Sequence, residues 1–277
     1  AAPVVVGAAL AAFRGGFAPL PALAALLGAL LIQIATNLAN DYFDFVKGAD
    51  TEERVGPTRV TQAGLISPQA VRNAMLATLA AAFLVGVYLV WVGGWPIALI
   101  GGVSLVCAVA YTGGPFPLAY HGLGDLFVFV FFGLVAVAGT VYVQVGSFPA
   151  EAWLAGAGIG AMSTAILVVN NLRDIGTDAK AGKRTMAVRL GVAGTRAEYL
   201  ALWLLAAAVP AIGIAAYGWP RWTLASWAGF GAAIGGMRRV MGFEDPRELL
   251  PALARTALGL LVYALGLGAG LLLGTVG

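Results

Sequence analysis

The chain has 277 residues, 60% of them hydrophobic and only 10% charged, and its mean hydropathy is +0.89. A soluble domain carries about 25% charged residues, so a water-soluble globule is excluded and the chain requires a lipid solvent. The formal net charge of +3 is far from the strongly basic face that nucleic acid requires, and no nucleic-acid partner is expected.

Apolar windows near the ~20 residues that span a bilayer predict nine transmembrane helices around a central cavity, in one domain over 1–277. The spans are 1–14, 18–46, 69–93, 95–112, 122–146, 149–172, 196–217, 221–240 and 249–273. The apolar runs are continuous rather than alternating, which excludes a β-barrel. The first span is too short to cross and starts without a charged flank, so the native N-terminus is read as missing. A basic n-region and cleavage site are absent, and no signal peptide is expected.

The second span ends in Asn37-Leu-Ala-Asn-Asp41-Tyr-Phe-Asp44-Phe-Val-Lys47, with Asn37, Asp41 and Asp44 on one helical face. Arg54, Arg59 and Arg72 follow in and beside the loop to the third span. Cys107, the lone cysteine, sits in the apolar fourth span and reads as a small packing residue. The next loop holds Tyr111, Tyr120, the only histidine His121, and Asp125. His121 is either locally hydrogen-bonded or orients a bound acceptor. Phe127, Phe131 and Phe132 make an aromatic stripe on the fifth span, as packing or as the wall of a channel.

The sixth span ends in Asn170-Asn171-Leu-Arg173-Asp174, followed by Asp178, Lys180, Lys183 and Arg184. Asn-x-x-x-Asp therefore occurs twice at an offset of 133 residues, which predicts a pseudo-repeat presenting two carboxylate clusters to one cavity. Ionisable groups at membrane depth are costly and functional. Oxygen donors without His or Cys suit Mg²⁺, which is held by one or two carboxylates plus substrate phosphates. Lys47, Arg59, Lys183 and Arg184 can neutralise the remaining phosphate charge. Gly156-x-x-x-Gly160, Gly231-x-x-x-Gly235 and Gly266-x-x-x-Gly270 read as sites of close helix packing.

Thirteen basic residues fall at loops joining spans 2–3, 6–7 and 8–9, against Arg14 and Arg221 at odd-numbered loops. The positive-inside rule places the even loops, and with them both Asp clusters, in the cytoplasm. Trp91, Trp95, Trp153, Trp219 and Trp222 form an aromatic belt at the opposite interface in this reading.

The stretches 37–67, 111–125 and 170–191 together resemble the UbiA superfamily of intramembrane aromatic prenyltransferases, and in finer text its MenA branch, the 1,4-dihydroxy-2-naphthoate polyprenyltransferases. The resemblance covers essentially the whole chain. It implies a UbiA-like all-α membrane fold in the inner (plasma) membrane, with the site at the cytoplasmic face. It also implies Mg²⁺-dependent prenyl transfer from a polyprenyl diphosphate to 1,4-dihydroxy-2-naphthoate, with decarboxylation to demethylmenaquinol. Asn37, Asp41 and Asp44 would form the first magnesium–diphosphate motif. Asp174 and Asp178 would form the second, beside Asn171. Tyr111 matches a family Tyr-x-x-x-Lys motif, but Pro115 stands where its lysine falls, leaving Lys183 to cover that charge. Tyr120 and His121 would bind the acceptor. Two alternatives remain: another acceptor such as 4-hydroxybenzoate, a haem or a glycerol phosphate, or a cation-coupled transporter, whose carboxylates would lie nearer the midplane.

Overall fold

The computed structural model describes residues 1–48, 55–56 and 59–274, and all of their regular structure is helical. Arg54 lies outside the described residues. The helices are α1 (Ala2–Phe13), α2 (Pro19–Val46), α3 (Pro68–Gly93), α4 (Trp95–Ala110), α5 (Gly124–Val145), α6 (Ala150–Arg173), α7 (Ile175–Lys180), α8 (Met186–Tyr217), α9 (Ala228–Gly242) and α10 (Leu249–Leu273). Among the described residues, six helices are long and apolar enough to cross a membrane: α2, α3, α5, α6, α8 and α10 with its preceding turn. The other expected spans, α1, α4 and α9, are shorter, so helix length alone does not establish nine crossings.

Local chemistry sets several boundaries. Ser67 caps α3 by accepting from the Ala70 amide at 3.3 Å, with Pro68 in the first turn. Gly191 interrupts α8 with φ 68° and ψ 179°, a conformation that strains any L side chain. The segment Met186–Leu190 is therefore a separate helical turn, capped by Thr185, ahead of the expected span. In α5, residues Val130–Val135 form a π-helical turn, whose extra residue shifts the phase of the helix face.

Small residues place α6 at the centre. In its most apolar window 67% of residues are buried, against 11% for α3. Gly156 and Gly160 bring the α6 backbone onto Gly133 of α5, and Gly266 and Gly270 bring α10 onto the 3₁₀ turn Arg221–Trp227. The third small-residue pair behaves differently. A Cβ on Gly231 or Gly235 would meet open space, and it is Gly229 and Gly236 that seat α9 on the backbone of α10. Spacing identified the right helix but the wrong face.

Trp91, Trp95, Trp153 and Trp222 are exposed, as a belt requires, but Trp219 is buried. Its indole Nε1 donates to Glu151 Oε2 at 2.9 Å, while Arg14 Nη1 donates to Glu151 Oε1. One buried carboxylate thus ties α6 to the loops after α1 and α8. Glu151→Ala is expected to cost about 1–3 kcal/mol, the penalty for leaving a buried donor unmade. Arg14→Ala should cost less, because that side chain is 42% exposed and its charge is screened. Thermal unfolding in detergent measures both, and equal melting temperatures for Glu151→Ala and wild type would refute the clamp.

Candidate active site at the ends of α2 and α6

The first motif lies on unbroken helix, since α2 runs to Val46. Asp41 and Asp44 are 6% and 4% exposed, and Asn37, one turn earlier, accepts from Gln33 Nε2 at 3.4 Å. The second motif is bent. Asp174 ends α6 with φ −95° and ψ 7°, and Asp178 lies on α7. The helical spacing survives the bend: the Asp174 amide donates to Asn170 O at 3.2 Å, and the Asp178 amide to Asp174 O at 2.8 Å. Asn171 is buried beside them.

The two Asp motifs face different partners. Both oxygens of Asp174 accept from the buried Arg173, from Nε at 2.7 Å and Nη2 at 2.6 Å, and Arg173 Nη2 also donates to Asn170 Oδ1 at 2.9 Å. Asp44 instead gathers groups from distant segments. Its Oδ1 accepts from the Tyr120 hydroxyl at 2.8 Å and its Oδ2 from Lys183 Nζ at 3.0 Å, with Arg59 Nη2 4.0 Å away. Asp41 Oδ1 is buried and has no hydrogen-bond partner among the described residues. No group of three or more His, Cys, Asp or Glu side chains stands ready to hold a metal among the described residues.

Cations and loops close the site. Lys47 Nζ donates to Thr112 O at 2.6 Å, and Thr112 Oγ1 donates to Asn40 Oδ1 at 2.9 Å. Partial burial, and then Lys183, lower the Lys47 ammonium pKa, while Asp44 opposes the shift. Tyr111 lines the cavity at this end, and a Cβ on Gly124 would come within 2.9 Å of its hydroxyl. The Arg184 side chain is exposed; its contribution is backbone, with its amide donating to Tyr120 O at 3.0 Å. His121 Nδ1 contacts Pro117 O at 2.8 Å, and its ring stacks on Phe116 at 3.7 Å. The local hydrogen bond expected of a loop histidine is therefore present.

Behind this cluster lies a cavity of about 1050 Å³. Asn37 and Asn170, the paired positions of the pseudo-repeat, both line it, with Asn40, Arg59 and Tyr111. The rest is largely apolar, walled by faces of α1 to α6 and by Leu253 and Leu260 of α10. Phe127, Phe131 and Phe132 all line it, so the aromatic stripe belongs to the cavity wall, helped by the π turn that brings neighbouring residues onto one face.

Sequence reasoning passed over three groups. Arg173 was hidden among topological charges, although its position next to Asp174 was a usable signal. Both oxygens of Asp125 and Oε2 of Glu198 are buried without partners among the described residues, and the two carboxylates lie within electrostatic reach of each other. Nothing in their local sequence marks that proximity.

A family model described as "UbiA prenyltransferase family" matches residues 1–253. The chain is 40% identical over 271 residues to "1,4-dihydroxy-2-naphthoate octaprenyltransferase" of Escherichia coli (strain K12), covering 94% of this chain and 87% of that protein. It is also 40% identical to the protein of the same name from Mycobacterium tuberculosis, covering 99% and 92% respectively. Among solved structures, the "Apo structure of a UbiA homolog from Aeropyrum pernix K1" superposes with a TM-score of 0.74 at 20% identity, over 99% of this chain and 96% of that one. That likeness establishes the fold.

Proposed function

The chain belongs to the UbiA prenyltransferase family, and from that premise we propose that it transfers a polyprenyl group from polyprenyl diphosphate to 1,4-dihydroxy-2-naphthoate, with decarboxylation to demethylmenaquinol. The observation that carries this is the junction of a large apolar cavity with a cluster of carboxylates and cations at its polar end. Such a cavity suits a long hydrocarbon tail, and the cluster suits a diphosphate. The acceptor follows from the names of the relatives. The positive-inside pattern supports placing this end at the cytoplasmic face of the membrane.

The residues fit Mg²⁺. Asp41 presents a buried carboxylate oxygen without a partner among the described residues, the nearby donors are oxygens, and Mg²⁺ takes few carboxylates when substrate phosphates complete its shell. Asn37, Asp41, Asp44, Asp174 and Asp178 would hold it, with Asp174 exchanging Arg173. When bound, the ion supplies positive charge opposite the diphosphate as the allylic C–O bond breaks.

Protein groups do the remaining work. Lys47, Lys183 and Arg59 offset charge on the departing diphosphate, and Asn170 at the second motif lines the same cavity. Lys183, brought to Asp44, stands in for the lysine absent at Pro115. Tyr111 lines the same cavity, and its hydroxyl can donate to a phosphate oxygen. The apolar walls, Phe127, Phe131 and Phe132 included, keep water from the allylic cation. The ring carbon bearing the carboxylate attacks that cation, and CO₂ leaves with its bonding pair returned to the ring. No covalent enzyme intermediate is needed.

Purified protein, Mg²⁺, octaprenyl diphosphate and carboxyl-labelled 1,4-dihydroxy-2-naphthoate are expected to release one labelled CO₂ per prenylated product. Release should require both the metal and the diphosphate. Label retained in a prenylated product, or reaction with 4-hydroxybenzoate alone, would overturn the acceptor while leaving prenyl transfer intact. No turnover with any acceptor would overturn the proposed reaction.

A further inference from the structure

The Tyr120 ring carries two like charges within 4.9 Å of its centroid. Lys47 Nζ lies 4.7 Å from its ring centroid and Lys183 Nζ 4.9 Å. One lysine follows α2 and the other follows α7, so the ring bridges the two motif-bearing helix ends. Its hydroxyl donates to Asp44 Oδ1 at 2.8 Å, while Lys183 holds the other oxygen at 3.0 Å. Two ammonium groups repel each other, but the negative faces of an aromatic ring attract both.

The backbone fixes the ring in place. Tyr120 O accepts from the Arg184 amide at 3.0 Å, and His121 O accepts from Arg189 Nη2 at 2.7 Å. Gly122 has φ +72°, and a Cβ there would come within 2.7 Å of Arg189 Nε and 2.9 Å of Arg184 O. The loop after α4 and the loop after α7 are thus zipped together at this tyrosine. The neighbouring imidazole is engaged within its own loop, by Pro117 O and the Phe116 ring.

From these contacts we propose that Tyr120 serves the prenyl diphosphate rather than the acceptor: it is a positioning residue that holds Lys47 and Lys183 together, beside Asp44, ready for the donor's phosphates. This rests on the diphosphate reading of the site given above. Without the ring the two ammonium groups separate, and the donor must gather them itself as it binds. The cost falls on donor affinity.

The test replaces Tyr120 by Phe, by pentafluorophenylalanine and by Leu. Steady-state KM for both substrates is measured, along with binding of farnesyl thiolodiphosphate, a donor analogue that does not ionise. Tyr120→Leu is expected to raise the donor KM and weaken analogue binding about tenfold, the equivalent of two exposed cation–π contacts. The acceptor KM should stay unchanged. Tyr120→Phe should retain most of the affinity. The pentafluoro ring, close in shape but with its quadrupole reversed, should resemble Leu, and it keeps the test decisive if the Leu variant does not fold. A rise in acceptor KM with donor KM unchanged would overturn the proposal, as would equal donor affinity for the Phe and pentafluorophenylalanine proteins. Asp41→Asn is run alongside: analogue binding that survives there in full would refute the diphosphate site itself, and its loss there, with the Tyr120 series unaffected, would refute only the role of Tyr120.

Discussion

Asn in place of Asp41 is expected to lower turnover by at least about a hundredfold, the scale of losing one preorganised electrostatic contact to the reacting group. Folding should be spared. Asp41 is 6% exposed, and its Oδ1 has no hydrogen-bond partner among the described residues, so the isosteric amide leaves that oxygen's environment unbroken. A buried carboxylate oxygen without a partner costs stability in the resting protein, and in the proposed reading metal and diphosphate supply the partner. Asp44→Asn is a useful contrast. Its carboxylate anchors Tyr120 and Lys183, so that variant should lose both turnover and thermal stability. Turnover and melting temperature measured on the same detergent preparations separate the two cases. Asp41→Asn activity above a tenth of wild type would sink its assignment to the metal and diphosphate.

Gly133→Val is expected to prevent folding. A Cβ at Gly133 would lie 2.3 Å from Gly160 Cα and 2.6 Å from Gly156 O. These are backbone atoms of the central helix, which cannot swing aside as a side-chain tip can. Ordinary overpacking costs about 1–3 kcal/mol; here α5 and α6 must separate along their whole crossing, and the loss should exceed about 4 kcal/mol. The same displacement would pull Phe127, Phe131 and Phe132 from the cavity wall. Gly231→Ala and Gly235→Ala supply the control, because a Cβ at either position meets nothing within 4 Å. Alanine is the better helix former by about 1 kcal/mol, so both variants should be neutral or slightly stabilised. Size-exclusion profiles and thermal unfolding in detergent measure all three, and a monodisperse Gly133→Val protein melting near wild type would refute the close crossing.

Much of the site was legible because its signals are local. Asn37, Asp41 and Asp44 share a face simply because α2 is helical to its end. The 133-residue repeat was countable in the sequence, and its two asparagines do line one cavity. Composition required a lipid solvent, and apolar windows located the helices, including the long α2, α3, α5, α6, α8 and α10.

Partner choice was not legible in the same way. Trp219 was indistinguishable from a belt tryptophan until its indole was seen to donate to Glu151, the carboxylate that Arg14 also holds. Arg173 counted as a topological charge, yet its side chain turns inward onto Asp174. Tyr120 lay among loop residues assigned to the acceptor, and only the fold sets it beside Lys47 and Lys183. Composition and periodicity were enough for the lipid solvent and the position of the helices, because both act within a few turns of chain. The tertiary structure alone decided which glycine faces touch, which tryptophan is buried and which cations surround Asp44. Those outcomes depend on the rotation and depth of each helix against its neighbours, and in lipid close packing of small residues, rather than a difference in hydrophobicity, sets that rotation.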